Sequence, residues 1–334
     1  MKVTIIGPGT VGMVLAYTLM LRRTAREIVL VGRNRMKAEG EALDLTHAQA
    51  FLQAPVKISA GEIADAIDSE VVVMCASVAA PEGIMDRNEM AKGNADLMRE
   101  LLPEVARVAP NCKLVMVTNP VDPMTWLALQ LTGFPRERVI GTGTLVDSIR
   151  FRELLSEMLA IHPDDLRAYI LGEHGECQFP AMSVAQAGGE KIDDTPERRA
   201  LCERAKGFGI EVFRKKGNTC YAIGLATAYL VESILLNERR TLPRRTPKTP
   251  CEVQPSPRGR EEVPGKVQPM GTENERGLYL PRLRFLVVAH REKSGRWVVK
   301  RKTNKKKYRA SLRKMKDWLK SARSWPLKMI LSSL

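Results

Sequence analysis

The opening of the chain, "VTIIGPGTVGMVLAYTLMLRR", restricts the possible folds more than any other stretch. An apolar run, Val3 to Ile6, is followed by glycines at Gly7, Gly9 and Gly12 and then by a helix-like segment to Arg23. Between a buried strand and a helix, glycines at this spacing do three jobs. They permit a tight turn, let backbone come close to a pyrophosphate, and let helix touch strand. The free N–H groups and positive dipole end of such a helix suit phosphates. A glycine-rich turn without a ligand is the plainer alternative, but the strand and helix on either side favour a dinucleotide site.

The pattern repeats through the first half. Apolar runs at "EIVLVG", "EVVVMCAS", "KLVMVTNP" and "RVIGTG" alternate with helical stretches such as Arg87 to Val108. Such alternation predicts an α/β fold with a doubly wound parallel sheet of Rossmann type, whose ligands sit beyond the carboxyl ends of the strands. One expected feature is missing. The second strand, "IVLVGRNR", should end in an acidic residue for the ribose hydroxyls of NAD, yet Gly32 stands there, followed by Arg33 and Arg35. Without that carboxylate a 2′-phosphate is no longer repelled, and a guanidinium can grip it with two hydrogen bonds. If both arginines are merely solvated, the argument lapses. NAD and NADP both stay open, with Gly32 and Arg33 tilting the reading slightly towards NADP.

Composition matters here through its distribution. The formal net charge is +15, but Arg244 to Leu334 holds 25 basic and 7 acidic residues, leaving 28 and 31 for Met1 to Pro243. The front is thus slightly acidic, and the whole excess belongs to the tail. Six scattered cysteines without a CxxC pair read as reduced thiols in a cytoplasmic protein. They give no sign of a metal site. No long uncharged apolar run predicts a membrane span, and "MKVTIIG" begins as a strand, not as a signal peptide.

Four further motifs fall where strands should end. They are "MDRNEMAKGN" around Arg87, "VTNPVD" around Asn119, "GTLVDSIRFR" around Asp147 and Arg150, and "LGEHGECQFP" around His174. In this order after the glycine turn they resemble the L-lactate/malate dehydrogenase family. The resemblance runs from Met1 to about Pro243 and ends in "TCYAIGLATAYLVESILLNERRTLP", which looks like the family's helix beside the nicotinamide.

The resemblance implies interconversion of a small 2-hydroxy acid and its 2-oxo acid with a nicotinamide cofactor. His174 would carry the proton, and Asp147 would fix its tautomer and stabilise the imidazolium. Arg150 would hold the substrate carboxylate as a fork, and Arg87 would polarise the developing carbonyl oxygen beside a mobile lid, "ASVAAPEGIMD". Asn119 and Thr219 would line the nicotinamide and substrate side. The cofactor contacts carried over are Gly7, Gly9, Thr10, Val11, Gly12, Arg33, Ala76, Asn94, Thr118, Asn119 and Ile223. Plainer roles compete: Asp147 could cap its helix, and Arg152 could replace Arg150, although the D-S-x-R spacing favours Arg150. His47 and His162 read as structural. In the lid, Ala80 takes the place where relatives separate malate from lactate. A small neutral residue leaves a second carboxylate unpaired, which argues against malate. Homo-oligomers, dimers or tetramers, are also implied.

The expected organisation is a dinucleotide-binding domain over 1–143 and an α+β substrate domain over 144–243, truncated relative to the family. A proline-rich linker over 244–281 and a basic tail over 282–334 would follow. The tail from about Leu283 resembles a segment of group II intron reverse transcriptase/maturases. It holds "FLVVAH" and "GRWVVKRKT" as a short hairpin and Lys305 to Ala322 as a basic helix. No YADD motif is present. Unspecific RNA binding by this tail is the alternative function. A fragment without a partner, or a non-functional fusion, also fits, and the partnerless fragment is the preferred reading of the tail.

Overall fold

The computed structural model describes residues 1–78, 87–243, 288–291 and 297–300. Six strands, β1 (Lys2–Ile6), β2 (Glu27–Val31), β3 (Lys57–Gly61), β4 (Val71–Met74), β5 (Lys113–Met116) and β6 (Val139–Gly141), form one sheet in the order β3-β2-β1-β4-β5-β6. Every pairing is parallel. Five of these strands are the apolar runs of the sequence. The sixth, β3, "KISAG", was not anticipated. It is an edge strand with only Gly61 fully buried, so it lacks the apolar signature of its neighbours. After β3 the chain crosses back to lay β4 against β1. The loops following β1 and β4 therefore flank a crevice at the carboxyl end of the sheet.

Helices α1 (Thr10–Arg22), α2 (Arg35–Ala48), α3 (Arg87–Val108) and α4 (Val121–Thr132) cover the two faces. Successive strand residues point to opposite sides, and the core divides accordingly. Val3, Ile5, Ile28 and Leu30 pack with Leu15 and Leu19 of α1. Ile6, Val29, Val72 and Met74 pack with Met98 and Leu102 of α3 and Met124 of α4. Burial on both faces is why these strands read as continuous apolar runs.

A second lobe comprises α5 (Leu145–Leu159), the short strands β7 (Leu166–Arg167), β8 (Ile170–Leu171), β9 (Phe179–Pro180), β10 (Gln186–Ala187) and β11 (Glu190–Lys191), then α6 (Pro196–Lys216) and α7 (Tyr221–Leu235). Its own core gathers Phe151, Leu155, Leu166, Ile170, Cys202 and Ala205. Helix α7 does not join that core. Ala226, Leu230, Val231 and Ile234 lie instead in the cluster of β1 and α1. The approach of α7 to α1 is close: a Cβ on Gly224 would meet Val14 Cγ1 at 2.4 Å, and Arg22 of α1 bonds Glu232 of α7 at 2.6 Å.

In the tail, β12 (Val288–Arg291) pairs antiparallel with β13 (Trp297–Lys300), the hairpin expected from the sequence. The proline-rich linker and the basic helix expected over Lys305–Ala322 lie outside the described residues. No helix among the described residues is long and apolar enough to cross a membrane.

Candidate active site

The glycine turn divides its labour by position. Gly7 has φ +92, its N–H donates to Val31 O at 2.9 Å, and a Cβ there would lie 2.4 Å from Ala76 N. The turn after β1 is thus wedged against the loop after β4, where only glycine fits. A Cβ on Gly12 would lie 2.4 Å from Gly7 O, so α1 sits directly on the turn. Gly9, the N-cap of α1, is different: a Cβ there would meet nothing within 4 Å, and no side chain caps the helix. The opening N–H groups of Thr10, Val11 and Gly12 thus have no side-chain cap and adjoin open space. Tight at Gly7 and Gly12 and open at Gly9, this cradle fits a pyrophosphate. Beyond β2, Arg33 is exposed, whereas Arg35 bonds Glu39 at 2.9 Å and Glu62 at 3.0 Å.

Two expected cofactor contacts have another use. Asn94 is fully buried. Its Oδ1 accepts from Val78 N–H at 2.8 Å and from Ser77 Oγ at 3.1 Å, and its Nδ2 donates to Asn119 O at 2.7 Å. Thr118 is also buried and donates its hydroxyl to Ala76 O at 2.7 Å. These side chains join the loops after β4 and β5 to each other. The side-chain polar atoms of both residues are thus engaged inside the protein. Ala76 is half-buried beside Gly7, and Asn119, exposed, lies at a cis bond to Pro120 just before α4.

The chemistry gathers around Asp147. It lies in the first turn of α5, 1% exposed, where no side chain caps the helix. Its Oδ2 meets His174 Nδ1 at 2.6 Å, and its Oδ1 accepts from Arg150 Nη1 at 3.3 Å. The carboxylate therefore serves imidazole and guanidinium rather than capping α5. Burial of the His174 ring pulls its pKa down. The hydrogen bond and charge of Asp147, helped by the charge of Asp122 and opposed by Arg150, outweigh burial and leave it above the ordinary histidine value. With Nδ1 tied to Asp147, Nε2 is the nitrogen left to exchange a proton with a ligand.

The His174 loop is fixed from two sides. Thr144 Oγ1 donates to Ile170 O at 2.6 Å, and Ser148 Oγ accepts from Ile170 N–H at 2.8 Å, which ties β8 to the start of α5. The His174 N–H itself donates to Asp122 Oδ2 at 2.8 Å, in the first turn of α4.

The competing residues separate. Arg152 bonds Pro163 O at 3.1 Å, away from Asp147, so Arg150 is the arginine at the site. His162 accepts from Asp164 N–H at 3.3 Å in a short turn, and His47 lies in the last turn of α2. Arg87 opens α3; the lid segment 79–86, with Ala80, lies outside the described residues. Thr219 and Ile223, both half-buried, flank the start of α7. Burial pushes the Cys112 thiol up to about 12. Among the described residues no three His, Cys, Asp or Glu side chains are grouped to hold a metal ion.

Comparison with known proteins fits this geometry. Residues 1–141 match the NAD binding domain of lactate/malate dehydrogenase, and residues 144–255 match its alpha/beta C-terminal domain. The chain belongs to the lactate/malate dehydrogenase family. Among its relatives, the L-lactate dehydrogenase of Gloeobacter violaceus is 40% identical over 252 residues, covering 72% of this chain and 76% of the relative. That of Acetivibrio thermocellus is 38% identical, covering 72% and 78%. The L-lactate dehydrogenase B-B chain of Danio rerio is 37% identical, covering 73% and 76%. Among solved structures, a ligand-bound minor L-lactate dehydrogenase from Enterococcus mundtii superposes with a TM-score of 0.69 at 35% identity, covering 73% of this chain and 81% of that one.

The first family match ends with β6 at residue 141, and the second runs from residue 144, just before α5, to residue 255. Within this family site, Asp122, Thr144 and Ser148 were not singled out from sequence. Asp122 closes "VTNPVD", and Thr144 and Ser148 fall in "GTLVDSIRFR", both quoted motifs. Their hydrogen bonds span 22 to 52 residues, a separation that local spacing does not reveal.

Proposed function

We propose that the chain interconverts an L-2-hydroxy acid of lactate size and its 2-oxo acid, with NAD as the redox partner. The observation that carries this reading is the Asp147 carboxylate, buried and shared between the His174 imidazole and the Arg150 guanidinium. A proton carrier, its orienting carboxylate and a group for anions stand together there, in a chain that also carries the glycine cradle of a dinucleotide domain. When bound, the nicotinamide accepts or gives the hydride.

The protein's own groups do the rest. His174 Nε2 takes the hydroxyl proton during oxidation and returns it during reduction, while Asp147 holds Nδ1 and stabilises the protonated ring. Arg150, 15% exposed, orients the substrate carboxylate and so fixes the reacting carbon. Arg87, at the start of α3, polarises the carbonyl oxygen, and Asn119 and Thr219 border the nicotinamide side. Gly7 to Gly12 hold the pyrophosphate, with Ala76 and Ile223 as apolar walls.

Cofactor choice changes from the slight lean to NADP. The matched domain is described as NAD binding, and Arg35 is engaged with Glu39 and Glu62, which removes one of the two arginines behind the NADP argument. Ala80 supports lactate over malate, since it offers no charge to a second carboxylate. Exposed apolar side chains on α2 and just after it, Met36 at 80% and Phe51 at 94%, support assembly with further copies.

The test is oxidation of NADH and NADPH by the full chain with pyruvate, oxaloacetate and bulkier 2-oxo acids. Pyruvate turnover with NADH is expected. A folded protein that turns over none of these acids refutes the proposal.

A further inference from the structure

We propose that Asp122 is a positioning residue for His174, fastening the histidine's loop to α4 and giving the imidazole a second buried negative neighbour. Three observations carry it. First, Asp122 is 4% exposed and accepts the His174 backbone N–H at 2.8 Å, although 52 residues separate them. Second, it occupies the first turn of α4, a helix with no side-chain N-cap, where the helix dipole attracts negative charge. Third, the ring of the same histidine is held from α5 by Asp147. Two helices thus fix His174 at two points, α4 at the backbone and α5 at Nδ1. Removing either leaves a loop residue with one anchor.

Among the described side chains, these charged groups lie near the imidazole. Asp147 and Arg150 face it from α5, and Asp122 from α4; Glu173 and Glu176 flank it on its own loop, and Lys206 of α6 reaches Glu176 O at 3.4 Å. Asp147 and Asp122 both favour the protonated ring, and Arg150 opposes it. Neutralising Asp122 therefore lowers the His174 midpoint, and removing its oxygen frees the loop as well. Since α4 starts immediately after Asn119 and Pro120, one helical turn carries both Asp122 and the loop at the nicotinamide side.

The kinetic part of the test rests on His174 being the proton carrier; the spectroscopic part does not. Asp122→Asn and Asp122→Ala are made in the full chain, with His174→Asn to assign the His174 imidazole resonance. That resonance is titrated by NMR, and kcat and KM for pyruvate with NADH are measured against pH. In Asp122→Asn the His174 midpoint and the upper limb of the kcat profile move to lower pH together. In Asp122→Ala, which also loses a charge-assisted hydrogen bond, kcat falls by about tenfold or more, while KM for NADH does not move. Midpoints and kcat equal to wild type in both variants overturn the proposal. If Asp122→Ala does not fold, the midpoint in Asp122→Asn decides. If the wild type turns over none of the 2-oxo acids, the proposed function falls. The NMR midpoint then still decides: a drop in Asp122→Asn upholds the positioning role, and an unmoved value overturns it.

Discussion

Gly9→Ala separates the two reasons for glycine in the first turn. At Gly9 the backbone is extended, with φ −89 and ψ −162, and an added methyl meets no protein atom within 4 Å. The folding cost is then the loss of a favourable N-cap residue, about 1 kcal/mol, which lowers Tm by about 2–4 °C in a chain of this size. The methyl does stand in the open space before α1, where a pyrophosphate must approach the helix N–H groups. Losing even part of that contact, about 1.4 kcal/mol, weakens NADH binding about tenfold. Gly12→Ala behaves oppositely. Its Cβ falls 2.4 Å from Gly7 O, so α1 must back away from β1, an overpacking cost of about 1–3 kcal/mol that appears in the melting curve. NADH fluorescence titration and thermal melts on both variants separate the cases. If Gly9→Ala binds NADH like the wild type, or melts as low as Gly12→Ala, the division of roles is wrong.

Other expectations follow from the catalytic cluster. His174→Asn reduces kcat by about 10²–10⁴-fold and leaves NADH affinity unchanged, as read by steady-state kinetics and titration; equal loss of both removes His174 from its role. The raised His174 pKa means the protonated ring persists above the ordinary value of 6.5, so reduction of the 2-oxo acid stays fast past that pH and then declines. Linkage gives the same sign. The stabilisation from the His174–Asp147 pair is fully present below the unfolded pKa and is lost as pH rises through the folded one; a Tm–pH series should show it in wild type and not in His174→Asn. Gly209→Ala places a Cβ 3.3 Å from Arg150 Nη1, displacing the guanidinium; a shift worth about 1 kcal/mol raises KM for pyruvate about fivefold, with KM for NADH unchanged.

Much of this was written in the sequence because its causes are local. A strand buried on both faces must be apolar throughout, so five strands of the large sheet stood out, and Gly7 and Gly12 stand at the tight turn and the close helix contact that their positions suggest. The choice of Arg150 over Arg152 followed from a three-residue helical spacing that does place it on Asp147. What was hidden is non-local. β3 is an edge strand whose single large apolar residue is Ile58, and β7 to β11 have two residues each, too few for any period. Asp122 and Ser148 act through contacts made only when distant loops meet. The bonds of Asn94 and Thr118 that join the loops after β4 and β5 were hidden too, since spacing locates a side chain without saying which way its polar atoms turn.

The seating of α7 on α1 means that chain order and mechanical order differ in this protein. Residues 221–235 come late and follow the substrate lobe, yet they are cemented into the first core through Leu230, Val231 and Ile234, with Gly224 pressed on Val14. Ile223 is thereby tied to the core under the glycine turn, whereas α6 packs in the separate core of the second lobe. On the proposed reading, the wall at the nicotinamide and the cradle at the pyrophosphate are one solid piece, and a substitution in α7 registers at both ends of the dinucleotide before it is felt by the acid.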